Sequence, residues 1–166
     1  KQCSDVLLDA LKRLEYRGYD SSGIFTIHDS AIALQRAVGK LVNLDLALKE
    51  TPLLGDIGVA HTRWATHGGV STENAHPHLA SGRVAIVHNG IIENHRTVRA
   101  RLESAGHQFS SDTDSEVLAH LFVEAFDAGL DPAMATRQVL DEIDGAYAFA
   151  VMAIDHPDLL IVARNA

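Results

Sequence analysis

The stretch Gly23–Val38, GIFTIHDSAIALQRAV, holds two apolar runs on either side of Asp29-Ser30. It reads as two strands joined at that dipeptide. The same pairing recurs along the chain. RVAIVHNGIIEN reads as a strand, a tight turn at Asn89-Gly90 and more apolar chain. AYAFAVMAI and LLIVA read as strands separated by the turn DHPD. DIGVAHTR reads as a further strand that runs into a loop. Strands in neighbouring pairs, rather than strict βαβ alternation, predict antiparallel sheets with helices outside. The expected class is α+β, two sheets with helical layers.

The helices follow from apolar spacing. Val6, Leu7, Leu11 and Leu14 recur at helical intervals, with Ser4 expected to cap the start and Gly18 the end. Leu41, Leu44 and Leu48 mark a short helix stopped before Pro52. Val98 and Leu102 lie on a helix that closes at Gly106. Thr113 and Glu116 have capping-box spacing ahead of Val117, Leu121 and Phe122. Asp131-Pro132 opens another helix, with Pro at its first position.

Composition narrows the function classes. The chain has 166 residues, 46% of them apolar, which fits one domain with a sizeable core. A net charge of −8 argues against nucleic acid as a partner, since phosphate binding needs clustered Lys and Arg. The run RTVRAR, residues 96–101, reads as a helix face. Cys3 is the single cysteine, so a reducing, cytoplasmic setting fits. No run of eighteen apolar residues marks a membrane span. The chain opens directly into a helix and ends at the close of an apolar run, and both ends read as cut.

The chemistry concentrates in HTRWATHGGVSTENAHPH, residues 61–78. Three readings compete there: a metal site, a loop that grips substrate, and a polar surface loop. Zinc sites favour tight pairs such as HExxH. The only close pair here is His76-Pro77-His78, and Glu73 is the only nearby carboxylate. Neither metal nor cofactor is expected. Arg63, at a strand end, suits bidentate binding of a carboxylate, or an ordinary ion pair. Asn89-Gly90 suits a type I′ turn, an oxyanion hole, or both. Asp114, beside a helix start, serves the helix dipole or binds an ammonium group. Arg63 and Asp114 together match the two charges of an amino acid.

Five segments, LKRLEYRGYDSSG, HTRWATHG, ENAHPH, HNGIIEN and SDTDSEV, occur in this order. Together they resemble the glutaminase domain of glucosamine-6-phosphate synthases, the isomerizing glutamine–fructose-6-phosphate aminotransferases. These are class II glutamine amidotransferases of the Ntn-hydrolase superfamily. The resemblance runs from about Val6 to Arg164. It implies a four-layer αββα sandwich of two antiparallel sheets, with residues 1–166 as a single domain and the isomerase domains lying elsewhere. It implies hydrolysis of L-glutamine, with ammonia passed to fructose-6-phosphate on the isomerase domain, and a full-length homodimer.

By position, the resemblance assigns the glutamine α-carboxylate to Arg63 and the α-amino group to Asp114. It places Thr66 and His67 in the same pocket, Trp64 in the loop that closes over it, and Asn89 and Gly90 at the oxyanion hole. Arg17 would stand beside the nucleophile, and His76 would support the pocket. The family nucleophile is a cysteine at the mature N-terminus, leading a short Cys-Gly-Ile-Val-Gly strand that this sequence does not contain. Cys3 lies too close to the first helix, and its amine is in a peptide bond. The chain alone is expected to be inactive. The alternative reading is a non-catalytic amino-acid-binding module.

Overall fold

The structure, a computed structural model, describes residues 2–18, 20–65 and 68–165, with Arg17 described by its backbone alone. The first half builds one sheet. Helix α1 (Cys3–Leu14) and a 3-10 turn (Glu15–Arg17) precede β1 (Ser21–His28) and β2 (Ala31–Val38). Helix α2 (Leu41–Glu50) and β3 (Ile57–Arg63) follow, and the three strands pair antiparallel in the order β2-β1-β3. The second half builds the other sheet from β4 (His78–Ala80), β5 (Val84–Ile92), β6 (Gly145–Ala153) and β7 (His156–Asn165), in that order and antiparallel. Helices α3 (His95–Ser104), α4 (Glu116–Asp127) and α5 (Pro132–Glu142) lie between β5 and β6 in sequence.

Strand alternation explains the layering. Successive side chains on β1 point to opposite faces. Ile24 packs with Leu8, Leu11, Leu41 and Leu44 of α1 and α2 on the outer face. Phe25 and Ile27 pack with Ala85 and Met152 of the second sheet on the inner face. The second sheet's far side sends Ile86, Phe149 and Val151 against Val117, Leu121 and Phe122 of α4. The order of layers is therefore helices, sheet, sheet, helices, as expected. No described helix is long and apolar enough to cross a membrane.

Several local expectations are corrected. Ser4 does not cap α1; its buried hydroxyl donates to the Leu53 carbonyl at 3.1 Å, tying the helix to the chain ahead of β3. Thr113 and Glu116 do not form a capping box, because Glu116 is already the first residue of α4. Its carboxylate instead accepts from the backbone N–H and hydroxyl groups of Ser110 and Ser111. The Thr113 hydroxyl bonds His78 Nε2 at 2.9 Å. The DHPD turn shrinks to Ile154-Asp155, since β7 already begins at His156. Strand β4 has no expectation behind it; three residues leave no readable alternation.

The largest correction falls on Asn89-Gly90, which makes no turn. Strand β5 runs straight through it, pairing with β6 from Val84↔Ala153 to Ile92↔Gly145. Gly90 holds φ at 128°, and a Cβ there would stand 2.2 Å from the Ala146 carbonyl oxygen. Only glycine fits both demands. Asp131, by contrast, caps α5 as expected, accepting from Ala133 and Met134 N–H at 2.9 Å.

Candidate active site

A cleft of about 690 Å³ opens between the two sheets. Its lining includes Arg63 and Trp64 from the end of β3, Asn89 and Gly90 from β5, Asp114 before α4, and His76. Four segments of the chain thus meet at one place.

Arg63 closes β3, paired opposite Ser21 of β1. Its side chain is buried, and the guanidinium donates to the Gly69 and Gly68 carbonyls at 3.2 and 3.4 Å. Burial pulls its pKa down from the ordinary value, while Asp20 and Asp114 favour the charged form. The main chain here is clamped from the other side. Asp20 N–H donates to the Arg63 carbonyl at 3.2 Å, and Asp20 Oδ2 accepts from Ala65 N–H at 2.9 Å. A Cβ at Gly18 would lie 2.9 Å from the Arg63 carbonyl carbon, so Gly18 and Asp20 meet Arg63 and Trp64 backbone to backbone. Trp64 stands at the rim with 64% of its surface exposed. Thr66 and His67 lie outside the described residues, as does the side chain of Arg17.

The opposite wall is the uncovered edge of β5. Strand β4 pairs only with Val84, Ala85 and Ile86, so beyond them that edge faces the cleft. His88 N–H donates across the edge to His76 Nδ1 at 3.2 Å, and Ile92 N–H donates to Asp114 Oδ2 at 2.8 Å. Alternate residues of a strand turn their N–H groups the same way. The Gly90 N–H, between those two, therefore faces the same edge. Asn89 is exposed to the cleft and, among the described residues, makes one side-chain hydrogen bond, to His61 Nε2 at 3.1 Å. Asp114 is buried, and the Ser115 hydroxyl donates to its other oxygen at 3.3 Å.

Four histidines pack beneath this wall. His61 stacks on His76 with ring centroids 4.5 Å apart, and His76 meets His78 edge-on at 4.6 Å. His88 Nδ1 lies 2.7 Å from the Ser115 hydroxyl. Burial lowers the pKa of His61 to about 4 and of His78 to about 3, and holds His76 well below the usual range. Burial also lowers His88, against the pull of Asp114. These rings are neutral packing with polar edges. Among the described residues, no group of three or more His, Cys, Asp or Glu is placed to hold a metal ion. Cys3 starts α1 outside the cleft lining, and burial, followed by Asp56, raises its thiol pKa. A thiol shifted that way is a poor nucleophile.

Sequence reasoning missed several parts of the site. Asp20 clamps the end of β3 but sits in a segment without periodicity. Asn74 Nδ2 donates to the Gly69 carbonyl at 3.0 Å, and its oxygen accepts from Asp112 N–H at 2.8 Å. It thus links the Arg63 loop to the segment carrying Asp114. Leu11, Leu14, Ala148 and Arg164 also line the cleft. Leu11 and Leu14 read only as helix positions, and Asp20 and Asn74 stood without a role inside quoted segments, because their partners are remote in sequence.

Residues 61–166 match the family model described as a glutamine amidotransferase domain. A glutamine--fructose-6-phosphate aminotransferase [isomerizing] of Zymomonas mobilis is 55% identical over 97% of this chain and 26% of its own length. The protein of that name from Mesorhizobium japonicum is 53% identical over 99% of this chain and 27% of its own length. The chain thus spans about a quarter of the length of the curated relatives it matches. Among solved structures, the glutamine phosphoribosylpyrophosphate amidotransferase of B. subtilis superposes with a TM-score of 0.81 at 24% identity, over 99% of this chain and 35% of that one. That likeness carries the fold.

Proposed function

Because the chain belongs to the glutamine amidotransferase domain family, we propose that its cleft binds L-glutamine for hydrolysis to glutamate and ammonia. Residues 1–166 serve as a single glutaminase domain of an isomerizing glutamine–fructose-6-phosphate aminotransferase. The observation that carries this reading is the meeting of Arg63, Asp114 and Asn89-Gly90 in one cleft. Arg63 takes the α-carboxylate, since a guanidinium fork matches a carboxylate geometrically. Asp114 takes the α-ammonium. The Asn89 amide nitrogen and the Gly90 N–H face the oxygen that gains negative charge when the side-chain amide is attacked. Trp64 closes over the pocket, and His76 supports the wall from behind.

The attacking thiol belongs to an N-terminal cysteine, as the family resemblance implies. Cys3, in α1 and outside the cleft, does not play that part. Ammonia passes to fructose-6-phosphate on the isomerase domain of a cytoplasmic homodimer. No cofactor enters the reaction.

The test is glutamine hydrolysis by the full-length protein, followed as released ammonia, beside its Arg63→Ala and Asp114→Asn variants. Each substitution is expected to lower kcat/KM for glutamine by about 100-fold or more, since each strands one charge of the substrate. Unchanged values would overturn the assignment. Glutamine binding without ammonia release would select the binding module.

A further inference from the structure

An amide has two ends of similar shape, and only its nitrogen can donate to an oxyanion. Asn89 must therefore be held with Nδ2, not Oδ1, toward the substrate. The backbone of β5 does not choose between the two orientations. We propose that His61 makes this choice: its Nε2–H grips Asn89 Oδ1 and so turns the Asn89 amide nitrogen toward the reacting carbonyl. This positioning role rests on the glutaminase reading above.

The geometry supports it in three ways. First, the contact is direct, 3.1 Å between His61 Nε2 and Asn89 Oδ1. A carbonyl oxygen only accepts, so the ring must carry its proton on Nε2. Second, the alternative is poor. With the amide reversed, Nε2 would have to accept and the proton would move to Nδ1. Among the described residues, His61 Nδ1 is buried without a partner, so that arrangement strands a buried N–H. The observed arrangement leaves only a bare lone pair there.

Third, the ring cannot escape by taking a second proton. Burial lowers its pKa to about 4; Asn89 favours the proton, while His88 and Arg63 oppose it. His76, stacked at 4.5 Å, holds the ring plane in place. His76 is itself fixed, because its Nδ1 accepts from His88 N–H. The His61–Asn89 bond also joins β3 of one sheet to β5 of the other. It therefore sets the two walls of the cleft in register as well as orienting one amide.

The experiment uses the full-length protein in two parts. Long-range 1H–15N NMR of the histidine rings reads the His61 tautomer in the unmodified protein, and the neutral Nε2–H form is expected. The neutral Nδ1–H form would overturn the proposal, whatever the variants do. Glutamine kinetics are then compared for His61→Leu, which removes the donor, and His61→Gln, whose amide nitrogen falls near the position of Nε2.

His61→Leu is expected to lower kcat by about 10- to 100-fold with KM within about 3-fold, less than the loss from deleting an oxyanion donor. His61→Gln is expected to recover most of kcat. Equal losses in both variants would reduce His61 to packing, and an unchanged kcat in His61→Leu would remove its role. Absence of ammonia release from the unmodified protein overturns the glutaminase reading itself. The proposal alone fails only where hydrolysis is intact and His61 proves indifferent.

Discussion

Asp29-Ser30 and Asn89-Gly90 are both turn-forming pairs between apolar runs, yet they have opposite roles. Asp29 and Ser30 hold φ at 48° and 59° and reverse the chain, bringing His28 opposite Ala31 in the ladder of β1 and β2. Two positive φ values match the two-residue hairpin geometry. Asn89-Gly90 stays inside β5, with Asn89 paired to Ala148 and Gly90 to Tyr147. The difference lies in the partners available. The chain after Ser30 can pair only by folding back on β1. The chain after Gly90 finds β6, which already pairs with Val84 to His88 and continues in register to Ile92. A long shared partner outweighs a local turn preference, and the glycine freed from turning serves the cleft instead.

The surroundings differ in the same sense. At the hairpin, His28 Nε2 lies 3.4 Å from Asp29 Oδ2, an exposed contact of a kind that contributes little. Behind Asn89, His61 and His78 are buried and neutral, with pKa values near 4 and 3. In the unfolded chain they titrate near 6.5. The unfolded state therefore binds more protons between those values, and stability must fall as pH drops from 6.5 toward 4. His61 alone accounts for about 3 kcal/mol over that range. Below pH 4.5 Glu116 adds to the loss, because its folded pKa is about 2: burial raises it, but hydrogen bonds from His120, Ser111 and Ser110 outweigh that. Denaturant titrations at stepped pH should show stability high above pH 6.5 and collapsing by pH 4. A flat profile would mean that these rings are not buried neutral.

Gly90→Ala attacks the other half of the comparison. The added Cβ would meet the Ala146 carbonyl oxygen at 2.2 Å, in a backbone conformation with φ at 128°. The neighbour is backbone of β6 and has no side chain to move aside. The expected destabilisation is about 3 kcal/mol or more, combining overpacking with backbone strain. Thermal unfolding checks it, and an unchanged Tm would show that β5 can shift against β6 after all.

Asn89→Ala leaves the backbone and the β6 ladder in place. It removes the side-chain donor that a turn would never have offered to the cleft. In the full-length protein kcat for glutamine should fall by about 100- to 1,000-fold, and Tm should fall by a few degrees, because the buried His61 Nε2–H loses its partner. Equal loss of KM and kcat, or none, would place Asn89 outside the reaction.

The layers were legible in the sequence because alternation and helical spacing repeat over many residues. Ile24 and Phe25 face opposite sides of β1, as period two requires. The candidate site residues were legible as types, since Arg63 at a strand end and Asp114 at a helix start carry their chemistry visibly. What stayed hidden depends on partners far along the chain. Nothing near Asn89 announces that His61, 28 residues away, holds its oxygen. Nothing near Ser4 announces the Leu53 carbonyl, and Glu116 gives no sign of preferring Ser110 and Ser111 to a helix cap.

The smallest effect belongs to the hairpin. Ser30 is an L-residue held at φ 59°, a left-handed conformation that strains any side chain with a Cβ. Ser30→Gly relieves that strain, and it also gives the unfolded chain more freedom to lose. The two effects oppose, and the first is the larger. The net gain should be about 0.5 kcal/mol, raising Tm by about 1–2 °C at this chain length. Glutamine turnover should not change, because the turn lies outside the cleft lining. A fall in Tm would mean that the Ser30 side chain contributes more at the turn than its backbone strain removes. The hairpin would then depend on a side-chain contact as well as on turn geometry, while Gly90 would still depend on strand pairing alone.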